Sequence, residues 1–377
     1  MDDGRFPVMG AAGAIGRTNR ANAKAESIII GRVGTAGAVN RVRTDCWASD
    51  NTIVATPGPN LTPPYAFYLL LGARLPELAS KTAQPLLTAS SIGNQRFWIP
   101  GLEEQRRIAD FLDAETARID QLRSLTQRQM ALVRERFNEQ MRTLTTDGAG
   151  QGIETRVSWM PRVNREWNLS RVSYEFTTSS GTTPTSSHAD YFDGSHPWVN
   201  SSDIKDAPIR FAAKHVSDAA LADFSALKLC RAGSLVVALY GQGATKGRVG
   251  ILQMDACLNQ ACCALTSLGR ISEEFAYYWF RAHKEGIVTR AVGAGQPNLS
   301  QELIRQLRIP VPGAETQEKI VAELSGAEEQ LRTHSSLLQR RDALLAERRQ
   351  TLITAAVTGQ FDVTTASGRN VTEGVAV

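Results

Sequence analysis

Five leucines spaced seven residues apart, Leu324, Leu331, Leu338, Leu345 and Leu352, limit what the stretch 309–360 can become. An apolar repeat of seven stays on one face of a helix over several heptads only if that helix winds about a partner. Ile320, Val321, Ala327, Leu337, Leu344 and Ala355 fill the neighbouring turns. A second stretch, 99–148, carries the same features in the same order: Gln105 falls on Gln317, Ile108 on Ile320, Leu112 on Leu324, Ile119 on Leu331 and Val133 on Leu345, at one constant offset. Leu122 is assigned to the same seam. The partner helix is therefore expected within the chain, as an antiparallel hairpin.

What precedes each long helix repeats as well. Ile28, Ile29 and Ile30 read as a buried strand, GRVGTAGAV (31–39) as a glycine-rich turn into a second strand, and PPYAFYLLLGARLPELAS (63–80) as a helix opened by Pro63 and Pro64. Next come KTAQPLLTASSI and a strand-like RFWIP. The second half replays this as SLVVALYGQGATKGRVGILQ (234–253), SEEFAYYWFRAHKEG (272–286), GAGQPNLSQELI (293–304) and LRIPVP (307–312). Asp3-Gly4 corresponds to Asp193-Gly194. The second half, however, carries a further stretch from about Val157 through WNLSRVSYEFTTSSGTTPTSSHADYF that has no counterpart in the first. The first unit, 1–100, is thus expected to be incomplete at its N-terminal side. It is followed by a helix over 101–147, a second unit over 148–312, a second helix over 313–358, and a disordered tail over 359–377. The break between halves lies in TTDGAGQGIE (145–154).

A chain of 377 residues with 42% hydrophobic and 21% charged residues has the composition of an ordinary globular protein of at least two units. The formal charge of +4 is compatible with a polyanionic partner without specifying one. The opening MDDGRFPVMG shows neither a basic leader nor a long apolar core, so a cytoplasmic location without membrane contact is expected. The five cysteines, Cys46, Cys230, Cys257, Cys262 and Cys263, contain no CxxC pair and read as buried apolar residues in a reducing compartment, with no metal site.

In its order of parts the chain resembles the specificity subunit of type I restriction-modification systems. The resemblance is carried by IPGLEEQRRIADFLDAETARID and IPVPGAETQEKIVAEL at the helix starts, RRQTLITAAVTGQ (348–360) at the second helix end, the two glycine-rich turns, and the AQP and GQPNLS stretches. It covers nearly the whole chain, and the short N-terminus departs from it. It implies an α+β protein in which two pseudo-repeated target-recognition domains, built of mixed sheet and short helices, are joined by two long helices packed as an antiparallel coiled coil. A helix of roughly 40 residues is about 60 Å long, long enough to set the unread spacer between two half-sites of one duplex. The implied partners are double-stranded DNA, modification (methyltransferase) subunits and restriction (endonuclease/translocase) subunits. The chain itself is expected to be non-catalytic and without cofactor. S-adenosylmethionine, ATP and magnesium belong to the partners.

Within this reading the polar members of the glycine turns face DNA: Arg32, Thr35, Asn40, Arg41 and Arg43 in the first half, and Gln242, Thr245, Lys246 and Arg248 in the second. Lys and Arg neutralise phosphates, and Arg, Gln and Asn reach base edges through paired hydrogen bonds. Asn200, Ser201, Ser202 and Lys205, from the polar stretch 187–206, join them. Neither turn fits GxxxxGK[ST], and both lead into strands, so a phosphate cradle is not expected. His188, His196, Asp190 and Asp193 lack metal-ligand spacing. Thr62-Pro63-Pro64-Tyr65 resembles the NPPY motif of amino-methyltransferases, but Thr62 stands at the essential position and no FxGxG loop lies upstream, which leaves a helix start. Two rivals remain: a degenerate DNA methyltransferase, and an inactive remnant serving as a coiled-coil adaptor. Arg340, Arg341, Arg348 and Arg349 crowd the second helix and are expected to be mostly solvated or paired.

Overall fold

The computed structural model describes residues 4–80, 85–148, 152–241, 243–291 and 297–363. Two compact units are present, one formed by residues 1–129 with 336–377 and the other by residues 130–335. Each long helix begins in one unit and ends in the other.

Unit 1 opens with β1 (Phe6–Gly10), β2 (Gly13–Thr18), β3 (Ile28–Gly31), β4 (Val39–Arg41), β5 (Trp47–Ala48) and β6 (Thr52–Ala55). These form two three-stranded sheets, in the orders β2-β1-β5 and β4-β3-β6. The three isoleucines of β3 are all buried, facing two apolar clusters in alternation: Ile29 joins Met9 and Cys46, while Ile28 and Ile30 join Ala66, Leu70 and Leu87. Helices α1 (Pro63–Gly72) and α2 (Ala89–Gly93) follow, and then α3 (Leu102–Thr146) begins. Thr62 is the N-cap of α1 and Pro63 and Pro64 occupy its first turn, so the Thr62–Tyr65 motif is a helix start. Tyr65 is fully buried and donates its hydroxyl to the Val357 carbonyl at 3.3 Å.

In unit 2, β7 (Gly152–Glu154), β8 (Arg162–Asn164), β9 (Asn168–Arg171), α4 (Val172–Glu175) and β10 (Phe176–Ser180) lead to β11 (His196–Val199), β12 (Lys214–Val216) and α5 (Asp218–Asp223). Then come β13 (Leu235–Ala238), β14 (Val249–Ile251), β15 (Cys257–Leu258), β16 (Cys262–Ser267), α6 (Glu273–Ala282), α7 (Lys284–Val288), α8 (Gln301–Gln306), β17 (Arg308–Val311) and α9 (Ala314–Val357). The sheets are β12-β11-β15, β10-β16-β13-β14, and the pairs β17-β9 and β7-β8. Helix α6 is buried along most of its length through Phe275, Ala276, Tyr277, Tyr278, Trp279 and Phe280. His283 sits beside it against Trp159 and Trp279, and burial, with Arg142 nearby, holds its imidazole neutral, its pKa pushed down to about 3.

The sheets establish the repeat that the sequence suggested. The order β2-β1-β5 matches β12-β11-β15 with the same pairing directions, and β4-β3-β6 matches β14-β13-β16. Gly4 and Gly194 occupy one structural position, since a Cβ on either would strike the backbone of the neighbouring hairpin strand, at Thr18 and at Val216 and Ser217. One expectation fails in unit 1: RFWIP is not a strand, whereas its equivalent in unit 2 is β17, paired with β9. A strand exists only with a partner, and among the described residues unit 1 has no counterpart of β9.

Within unit 1, Ile108, Ala109, Leu112 and Ile119 of α3 pack with Leu352, Ile353, Ala356 and Val357 of α9 and with Tyr65, Tyr68 and Leu69 of α1. Arg349 pairs with Asp120, Arg123 with Asp342, and Arg341 donates to Thr126, so numbering rises along one helix as it falls along the other. Within unit 2, Phe137 and Met141 of α3 share a core with Ile320 and Leu324 of α9, and Gln140 donates to Glu323 at 2.9 Å. The helices are antiparallel in both units. Leu324, Leu338 and Leu352 are buried, and Leu331, Leu345 and Val133 are half-buried.

Leu122 corrects the seam: it is 46% exposed, and Leu125, Leu132, Leu337 and Leu344 face outward with it. Around it Arg123–Asp342 and Arg341–Thr126 take the contact between the helices, and Thr126, seven residues after Ile119, stays buried on the contact face. A second correction concerns the tail. The chain stays packed beyond Gly359, with the Phe361 ring 5.5 Å from that of Phe111 and Val363 against the same cluster; residues 364–377 lie outside the described residues.

Each long helix is pinned at its start by a buried glutamine. Gln105 accepts from the Thr62 N–H at 2.8 Å and donates to the Asn60 and Pro100 carbonyls, both at 2.9 Å. Gln317 accepts from the Ser272 N–H at 2.8 Å and donates to the Arg270 and Pro312 carbonyls at 2.8 and 2.9 Å. Both side chains are almost wholly buried. Replacing Gln317 by Leu strands one donor and two acceptors in a dry site, and is expected to cost about 2–4 kcal/mol. Urea unfolding checks this, and a loss under about 0.5 kcal/mol would show that the clamp is dispensable.

Candidate nucleic-acid interface

In unit 2 the sequence-predicted polar residues fall on two loops that meet. One is the turn between β13 and β14, where Gly241 and Gly247 take φ of 154° and 73°, conformations that a side chain would oppose. The other is the loop after β11, in which Asn200 caps the short turn Ser201–Asp203. The loops touch: a Cβ on Gly241 would lie 3.3 Å from Ser201 Oγ and 3.0 Å from Thr245 Cβ. The second loop is tied down again at Asp206, whose carboxylate accepts from the Val249 N–H at 3.0 Å and from Lys284 Nζ at 3.4 Å.

This scaffold sorts the candidates. Asn200 is spent on structure. Its N–H donates to Asp203, its side-chain carbonyl accepts from Asn259 at 3.0 Å, and its amide nitrogen donates to the Trp198 carbonyl. Ser201 and Thr245 are half-buried at the contact of the loops. Lys246 donates to the Pro297 carbonyl and so anchors the turn to the segment before α8. Ser202 and Lys205 are exposed, and the half-buried Arg248 guanidinium has no hydrogen-bond or ion-pair partner among the described residues. Gln242 lies outside the described residues.

Unit 1 presents the equivalent turn, 32–38, between β3 and β4, with Gly34 and Gly37 at φ of 78° and 87°. A Cβ on Gly37 would come within 2.4 Å of Pro76 N, so the turn is seated on the short helical turn Leu75–Leu78. Arg32, Thr35 and Arg43 are exposed. Arg41 is not free: both its Nε and Nη2 donate to Glu26 Oε2, at 3.2 and 2.9 Å, which ties β4 to the loop before β3. Asn40 donates to the Ala11 carbonyl at 3.4 Å, linking the turn to the β1–β2 hairpin. These ties were hidden in the sequence because their partners, Glu26, Asn259, Pro297 and Ala11, lie 15 to 59 residues away.

Chemically, both units offer hydroxyls, amides and cations on loops fixed to a sheet. Such a surface can hydrogen-bond base edges and neutralise phosphates. The cysteines offer little nucleophilicity: burial pushes the thiols of Cys46 and Cys230 up, that of Cys257 to about 11 and that of Cys263 to about 12, and it drives Cys262 still higher. His196 faces Asp218, with 2.8 Å between Nε2 and Oδ1, and His188 lies against Tyr191. Among the described residues no group of three or more His, Cys, Asp and Glu is placed to hold a metal ion, and no helix is long and apolar enough to cross a membrane.

The sequence matches the family described as type I restriction modification DNA specificity domain over residues 1–128 and 164–340, both halves of the repeat. A chain from a structure concerned with complex assembly and conformational transition of the type I R-M system superposes with a TM-score of 0.72 at 18% identity, covering 91% of this chain and 85% of that one. The HsdS subunit from Thermoanaerobacter tengcongensis gives 0.50 at 17% identity, covering 91% and 84%. Among curated proteins, the type I restriction enzyme EcoprrI specificity subunit of Escherichia coli is 30% identical over 109 residues, 29% of this chain and 27% of that protein. The MjaIX specificity subunit of Methanocaldococcus jannaschii is 21% identical over 169 residues, 44% of this chain and 38% of that protein. The match thus spans well under half the length of these curated relatives. The chain belongs to the type I restriction modification DNA specificity domain family.

The two classes of loop residue separate experimentally. Asn200→Ala leaves the Asn259 amide unpaired and is expected to cost about 1–2 kcal/mol of stability. Lys205→Ala, at an exposed position, is expected to leave the melting curve within about 0.5 kcal/mol. Equal losses from the two would contradict this assignment of Asn200 to structure.

Proposed function

We propose that the chain is the DNA-reading specificity subunit of a type I restriction-modification assembly, each unit reading one half of a bipartite site. The observation that carries this is the duplication. The same sheets, with the same glycine-rich polar turn, occur in both units, and the family match includes both halves. In this reading Ser202, Lys205 and Arg248 of unit 2, and Arg32, Thr35 and Arg43 of unit 1, face the duplex, and Lys246, which spends one of its three donors on the Pro297 carbonyl, has the others for a phosphate. Ser201, Thr245, Asn40, Arg41 and Asn200 hold the loops that present them. Half-buried and exposed cations on a fixed turn suit phosphate contact, and the loop hydroxyls suit base edges.

The chain catalyses nothing by itself in this proposal. Modification subunits supply S-adenosylmethionine-dependent adenine methylation, restriction subunits supply ATP- and magnesium-dependent cleavage, and both dock on the chain. The methyltransferase alternative is weakened by the Thr62–Tyr65 segment, which is occupied as a helix start and as a buried contact to α9. Co-expression with a modification subunit, followed by mapping of methylated adenines, is expected to give one interrupted sequence, and methylation without sequence preference would refute the reading. Lys246→Ala with Arg248→Ala is expected to weaken DNA binding by the complex and to lower the salt slope by up to about 2. An unchanged salt series would remove these residues from the interface.

A further inference from the structure

The two copies of the repeat differ in how their first hairpin closes. In unit 1, β1 and β2 are joined by Ala11 and Ala12 alone, whereas in unit 2 residues 200–213 lie between β11 and β12. The connection sits against the glycine-rich turn in both copies, through Asn40 on the Ala11 carbonyl in unit 1 and through Ser201 beside Gly241 in unit 2. Unit 2 thus carries an additional strap of chain that starts at its candidate interface.

The strap is fastened at several points. Ile204 and Ile209 are buried, and Ile209 donates its N–H to the Ile251 carbonyl and accepts from the Gln253 N–H, both at 2.9 Å. Ala212 is buried and Lys214 stands opposite Trp198, so the strap leaves and rejoins the sheet at the same end of β11. Between the anchors Ile209 and Ala212, Phe211 is 75% exposed, more than any other large apolar side chain among the described residues. Lys205, Arg210 and Lys214 are exposed too, and none has a hydrogen-bond or ion-pair partner among the described residues. The acids of the strap are already engaged: Asp203 accepts from the Asn200 N–H, and Asp206 from the Val249 N–H and Lys284. A solvent-facing aromatic ring amid unneutralised cations suits a polyanion whose apolar groups lie between its charges, which describes stacked bases flanked by phosphates. An apolar protein surface would take the ring and leave the cations unpaired.

We propose that residues 205–214 are a second DNA-contacting element of unit 2, without counterpart in the β1–β2 hairpin, in which Phe211 enters the base stack while Lys205, Arg210 and Lys214 hold the neighbouring phosphates. An apolar side chain inserted at a base step must unstack it, which is easiest at a flexible pyrimidine–purine step. Phe211 therefore selects sequence through deformability, where the polar turns select it through hydrogen bonds. The inference rests on the DNA-reading proposal and names one further specificity-determining residue within it.

The complex of the full chain with a modification subunit is titrated with its selected DNA site across a salt series. Phe211→Ala, at an exposed position, is expected to weaken specific binding about tenfold, the order of one base–aromatic contact, with an unchanged salt slope because the ring releases no counterions. Phe211→Trp is expected to recover most of that loss. Arg210→Ala with Lys214→Ala is expected to lower the salt slope by up to about 2. In selection from a random pool, Phe211→Ala is expected to relax the preference at one step in one part of the consensus and to leave the other part fixed. Wild-type affinity and wild-type consensus in the assembled Phe211→Ala complex would overturn the proposal. A lowered yield of assembled complex with unchanged DNA affinity would also overturn it, and would make Phe211 a protein-docking residue. A wild-type complex with no two-part preference would remove the DNA-reading proposal itself, and this inference with it.

Discussion

A buried side-chain amide with no water to turn to must find every partner within the protein, and in this chain that constraint operates twice. Gln105 and Gln317 each bind the same three backbone groups in their own unit: the N–H of the residue that caps a short helix, the carbonyl two residues earlier, and the carbonyl of the proline before the long helix. The start of the long helix is thereby fixed to the start of α1 in unit 1 and of α6 in unit 2. Neither helix can slide without stranding a donor and two acceptors, a loss that the surrounding apolar contacts do not replace.

The helix pairing uses different physics at different places. Near the clamps it is apolar and shared with the neighbouring helix, through Leu112 and Leu352 in unit 1 and Phe137 and Leu324 in unit 2. Along the remainder of unit 1's helix pair it becomes polar, with Arg123 on Asp342, Arg341 on Thr126 and Arg349 on Asp120. Polar contacts of fixed geometry specify register more tightly than interchangeable leucines do, whereas leucine contacts add more stability.

How legible all this was depends on the range of the interaction. Periodicity and the offset between halves located the long helices, the β3–β4 and β13–β14 turns and the duplication, because those signals lie in neighbouring residues or in the comparison of two stretches. The heptad rule placed Leu122 in the seam and failed there, since the neighbouring ion pair that takes the contact depends on the partner helix. RFWIP carried strand-forming residues but no strand, because pairing is a property of two segments. Among the site residues, the turns were visible through their glycines. The division between residues that hold the loops, such as Asn200 and Arg41, and residues left to solvent, such as Lys205 and Arg43, was not, because it is decided by distant partners.

The central claim is that one structural unit occurs twice and that each copy senses its own part of one DNA site. The most direct test is selection of DNA from a random pool by the complex of this chain with a modification subunit, repeated after replacement of residues 200–206 and 241–248 by unrelated loops of equal length. The account predicts a two-part consensus in which one part changes and the other stays fixed. A single continuous consensus, or simultaneous loss of both parts from a complex that remains assembled, would contradict it.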